Sequence, residues 1–88
     1  MALTLKNLEI CFESAKKLNA KYVALLIKIA DNEYPEIIIN ERANFDFKLS
    51  YYKEAYNNDL TLKSYDKIKI LGFTYANSFS AIEEDLIY

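Results

Sequence analysis

Lys21-Tyr22-Val23-Ala24-Leu25-Leu26-Ile27-Lys28-Ile29-Ala30 is the stretch on which the fold turns. Alternate residues of a strand face opposite sides. One parity here holds Val23, Leu25, Ile27 and Ile29, and the other holds Tyr22, Ala24 and Leu26 before Lys28. Both are largely apolar, which predicts a central strand covered on both sides. Asp31-Asn32-Glu33-Tyr34-Pro35 supplies turn residues. Glu36 to Asn40, with Ile37, Ile38 and Ile39, then reads as the returning strand of a hairpin. Pro35 stands at its start, where a missing N–H costs least.

Upstream, the spacing predicts a helix over Leu5 to Leu18. At ~100° per residue, Leu5, Leu8, Cys11, Phe12, Ala15 and Leu18 share one arc, and Ile10 falls on the polar side. Thr4 is the expected N-cap, and Asn19 the left-handed residue that ends the helix. Glu13 and Lys17 have the i,i+4 spacing of a surface ion pair. Downstream, a second helix is expected from Phe45 to Asn57 with Asn44 as its cap. Phe45, Leu49, Tyr52 and Tyr56 form its core stripe, whereas Phe47 and Tyr51 lie on the opposite side.

Leu60 to Asp66 reads either as a loop or as a short edge strand. Lys67 to Tyr75 is the third strand. Ile68 and Ile70 occupy one parity and Leu71, Phe73 and Tyr75 the other, so a bulge is expected near Gly72. A short helix, Phe79 to Ile87, closes the chain, capped by Ser78 or Ser80 with Asn77 able to share the role, and docked by Phe79, Ile82 and Leu86. The order is α-β-β-α-β-α in a single domain spanning residues 1–88. The expected fold is α+β, with a three-stranded mixed sheet of order 2-1-3 packed against helices in two layers.

Composition narrows the chemistry. The chain has no histidine, one cysteine, one glycine and one proline. Histidine is the side chain that most readily serves as general base or metal ligand near neutral pH. Glycine-rich loops bring backbone close to phosphates. Cys11 faces inward and has no histidine to activate it, so it reads as a small buried hydrophobe. Asp31, Glu33 and Glu36, and the group Glu83, Glu84 and Asp85, match no calcium loop and stand where solvated charge is expected. None of the serines lies in a nucleophile motif. No catalytic, cofactor-binding or metal-ligating residue is assigned, and a non-enzymatic protein without a cofactor is expected. With no long apolar run, no basic-then-apolar leader and no pair of cysteines, a cytoplasmic protein off the membrane is expected.

Two surfaces remain as candidates. Eight tyrosines and five phenylalanines are a high aromatic load for 88 residues, and aromatic side chains are enriched at the centres of interfaces. Phe47 and Tyr51, joined by Ile10, are therefore the expected contact residues for a protein partner or a second copy. The competing expectation is that the C-terminal helix covers them. The alternative surface is Lys63, Tyr65, Lys67, Lys69 and Tyr75, where rings beside lysines suit single-stranded nucleic acid. Thirteen acids against eleven bases, a net charge of −2, weigh against that alternative.

Three segments also carry a resemblance: Ala20-Lys21-Tyr22-Val23-Ala24, then Asn44-Phe45-Asp46 through Tyr52-Lys53-Glu54-Ala55-Tyr56, then Ile70-Leu71-Gly72-Phe73-Thr74-Tyr75 with Ser78-Phe79. Together they resemble small uncharacterised prophage-type proteins of AT-rich Gram-positive bacteria. Ten of the eleven bases being lysine fits an AT-rich coding genome. The resemblance implies no activity and no site residues. It favours an accessory, host- or phage-directed binding role over metabolism.

Overall fold

The computed structural model describes residues 3–87. Its elements are α1 (Leu5–Lys17), β1 (Tyr22–Ile29), β2 (Glu36–Glu41), a 3-10 turn (Arg42–Asn44), α2 (Phe45–Ala55), β3 (Thr61–Leu62), β4 (Tyr65–Ala76) and α3 (Phe79–Leu86). The expected three-stranded mixed sheet of order 2-1-3 is corrected to four strands, ordered β2-β1-β4-β3 and antiparallel at every pairing. The added strand comes from the ambiguous Leu60–Asp66 segment. Its two residues pair with β4, and Tyr56 bridges Leu62 just beyond α2. Since β2 and β4 each run antiparallel to the central β1, no parallel pair forms among the described residues.

Both parities of β1 are covered, by different helices. Val23, Leu25 and Ile27 join Leu8, Phe12 and Ala15 of α1 and Phe45 and Tyr52 of α2 in one buried cluster. On the other side, Ala24 and Ala76 pack with Ile82 of α3. The two-layer expectation is therefore corrected to three layers, with the sheet in the middle. α1 lies over β4 and β1, and α2 over β2. The first core is aromatic: Phe12 meets Phe45 edge-on at 5.6 Å between ring centroids. The second has two alanines and one isoleucine buried, with Tyr22, Ile37 and Leu86 partly buried around them.

Local chemistry explains most boundaries. Thr4 caps α1 reciprocally with Asn7: the Asn7 N–H donates to Thr4 Oγ1 at 3.3 Å, and the Thr4 N–H donates to Asn7 Oδ1 at 2.9 Å. Asn19 takes φ 60° after the helix, a conformation asparagine tolerates. Ser78 caps α3 by accepting from the Ala81 N–H at 3.3 Å. Three expectations fail here. Asn44 makes no side-chain cap bond to α2. Asn77 instead accepts from the Lys21 N–H at 3.0 Å, tying the start of β1 to the end of β4. Glu13 and Lys17 form no ion pair, whereas Lys6 and Glu9 do.

The phase change in β4 is a bulge. Leu26 pairs with Gly72 and Ile27 with Ile70, so Leu71 is the extra residue and is pushed outward, 43 % exposed. Leu60 occupies the left-handed region at φ 71° with its side chain fully buried. That backbone conformation is costly for a branched residue and is held by the packing around it.

Candidate interaction surfaces

Phe45, Tyr52 and Tyr56 are buried, as the α2 stripe requires, and Leu49 packs against them. Burial pushes the Tyr56 hydroxyl up to about 12 and raises that of Tyr52. The other side of α2 is open. Phe47 is 74 % exposed and Tyr51 47 % exposed. The expectation that the C-terminal helix covers them does not hold, because α3 packs on the far face of the sheet. Tyr51 is nonetheless held in place. Its ring lies 5.3 Å from that of Tyr52, and the Lys48 ammonium sits 5.7 Å from its centroid.

Ile10 is exposed too, but it does not join that pair. It lines a shallow depression of ≈ 180 Å³ with Glu13, Ser14 and Lys17, all from α1. Between the two helices run the ion pairs Lys16–Asp46 (2.6 Å) and Lys53–Glu9 (2.7 Å). Glu9 therefore has a carboxyl held below the ordinary carboxylate range by hydrogen bonds from Lys53 and Lys6. A second depression, ≈ 190 Å³, opens beside this pair among Leu5, Lys6, Glu9, Lys53 and Asn58. The first hollow is lined by Ser14 with Glu13 and Lys17, which form no ion pair, and the second by the linked ion pairs of Lys6, Glu9 and Lys53.

The lysine-and-tyrosine group is split by the bulge. Ile68 and Ile29 pack toward the α1–α2 core, so Lys69 and Lys67 project from the opposite face of β4, whereas Tyr65 lies beyond a register shift, paired with Leu62. Tyr75, beyond the bulge and paired with Val23, lies on the α1–α2 side. Lys63 sits in the β3–β4 turn, its N–H donating to the Ala55 carbonyl at 2.9 Å. Lys28 was absent from the expected group, yet it pairs directly across from Lys69. Only the strand register shows this. Among the described residues, no ion pair engages Lys28, Lys67 or Lys69.

The edge of β2 is a further open surface. Ile37-Ile38-Ile39 forms the middle of an edge strand, with Ile39 39 % exposed. The run of three isoleucines was the available signal. Cys11 is half-buried, and burial pushes its thiol up to about 11, the reverse of nucleophilic activation. No three or more Cys, Asp or Glu residues converge as a possible metal site among the described residues. No described helix is long and apolar enough to cross a membrane. No family model, curated protein or solved structure matches the chain.

Proposed function

We propose that this chain is a non-enzymatic protein-binding module that works through the outer face of α2. A single observation carries the reading: Phe47 and Tyr51 stand exposed on one side of a helix whose opposite side already anchors the core. Exposed aromatic pairs of this kind supply large contact area at a low torsional cost. The accessory, host- or phage-directed role implied by the resemblance is compatible with such a module. The test compares immobilised wild type with the Phe47→Lys/Tyr51→Lys variant for retention of binding proteins, soluble copies of the chain included. Both substitutions are on the surface, so stability is expected to hold within about 0.5 kcal/mol. A protein retained by wild type and lost by the variant supports the reading. Equal retention by both, or none by either, sinks it.

A second reading rests on the cross-strand pair Lys28–Lys69. Like charges directly opposite one another destabilise a sheet, and a bound polyanion would relieve the repulsion. With Lys67 beside them and Tyr65 further along β4, these lysines suit single-stranded nucleic acid. The expected result is a mobility shift that weakens steeply with salt. Absence of a shift at low salt removes this alternative.

A further inference from the structure

We infer that the open edge of β2 docks a second copy of this chain, antiparallel and centred on Ile39, so that two sheets become one. The inference rests on the protein-binding reading of α2 and names its partner.

The Arg42 N–H donates to the Lys21 carbonyl at 3.0 Å. Antiparallel pairs alternate between bonded and non-bonded. Arg42, Asn40, Ile38 and Glu36 therefore turn their backbone groups toward β1, and Glu41, Ile39 and Ile37 turn theirs outward. Among the described residues, no loop or turn backbone bonds to those outward groups. Edges of this kind are ordinarily guarded by an inward charge, a proline, a bulge or extreme shortness. β2 has none of these between Ile37 and Asn40. The opposite edge is interrupted: β3 has only two residues and a register shift, and β4 runs on past it with a bulge at Leu71. One regular edge and one bulged edge favour a closed two-fold pair over a growing fibre.

Charge and proline weigh against three neighbouring registers. Centring on Ile39 bonds Ile37 to Glu41 of the second copy and sets Glu36 across from its Arg42, in a non-bonded pair where side chains approach closest. Centring on Ile37 sets Glu41 against Glu33. Centring on Ile38 places Pro35, which has no N–H, opposite Glu41, and centring on Glu41 sets that acid against itself.

The same axis brings the two α2 helices together. α2 lies over β2 with α1 on its inner flank, where Asp46 and Lys53 make their ion pairs. At ~100° per residue, Tyr51 lies roughly 150° around from that flank, overhanging the open edge, and Phe47 lies beside it. A strand edge alone falls short of the ~1,200 Å² that a stable interface buries. Aromatic side chains bury up to ~150–250 Å² each, so the four rings supply much of the difference.

Light scattering tests the pairing. The wild type is expected at twice its 10.3 kDa chain mass. Ile39→Pro removes only an outward N–H, and Ile39→Lys leaves the backbone intact. Each should return the mass to that of the monomer with an unchanged circular dichroism spectrum. Ile39→Cys should cross-link on oxidation, because its two copies face one another, while Ile37→Cys should not. A wild type monomeric at millimolar concentration, or a dimer indifferent to both Ile39 substitutions, overturns the inference. A dimer dissolved by Phe47→Lys/Tyr51→Lys but not at Ile39 keeps the α2 reading and overturns the edge. The reverse pattern keeps the edge and overturns the α2 reading.

Discussion

The two faces of the sheet are built from the same central strand but from different materials. Under α1 and α2 lie Phe12, Phe45, Tyr52 and Leu25, all at most 2 % exposed. Under α3 lie Ala24 and Ala76, with Ile82 as the one large fully buried side chain. Small residues let α3 approach closely but give it little apolar area to lose. The first face should therefore hold the global fold, and the second should open locally. Phe12→Ala is expected to cost about 3–5 kcal/mol in urea unfolding, because Phe12 contacts Phe45 at its edge and Tyr52 at 6.1 Å. Ile82→Ala should cost about 2–3 kcal/mol, toward the lower end for such truncations. By hydrogen exchange it should free the amides of α3 while leaving those of β1 protected. Equal losses from the two substitutions, or simultaneous exchange of α3 and β1, would break the contrast.

That contrast was half legible in the chain. The two apolar parities of β1 pointed to cover on both sides, and the stripes of α1 and α2 named the larger core. Which helix covers which face was not legible, because the short C-terminal helix is amphipathic whichever side it docks. The fourth strand escaped for a different reason. Two residues show no period, and β3 is held by backbone bonds and the bridge from Tyr56 rather than by a pattern of its own. The left-handed φ of buried Leu60 has no signal in composition, since glycine or asparagine is the usual occupant. Among the candidate surfaces, helical spacing isolated Phe47 and Tyr51 correctly as non-core. It could not tell that Ile10 lies on another flank or that a bulge turns Tyr75 away from Lys69. Both depend on tertiary placement.

Gly72 gives a finer probe of the α3 layer. It pairs with Leu26 on the face that α3 covers, and an added Cβ would meet Leu86 Cδ2 at 3.8 Å, an ordinary contact. Glycine within a strand or helix costs roughly 0.5–1 kcal/mol relative to alanine. Gly72→Ala is therefore expected to stabilise the fold by up to about 0.5 kcal/mol and to slow exchange in α3. A clear destabilisation would mean that α3 is seated more tightly than its small neighbours imply.

The smallest expected effect separates the layers by their ionic ties. α1 and α2 are joined through Glu9, which accepts from Lys53 and Lys6, whereas α3 is tied to the sheet by the Thr74 hydroxyl donating to Asp85 at 2.8 Å. The folded-state pKa of Glu9 is depressed, chiefly by the Lys53 hydrogen bond. Its contribution is therefore present above the ordinary carboxylate value of ~4.3 and is lost as pH falls through the lower folded value. Glu9→Gln should unfold at a slightly lower urea concentration than wild type at neutral pH, and the gap should close on acidification below ~4. Asp85→Asn keeps an acceptor for Thr74 and should leave the midpoint unchanged at either pH. If its gap instead tracked pH as that of Glu9→Gln does, the acid sensitivity would belong to the whole acidic surface rather than to the α1–α2 layer.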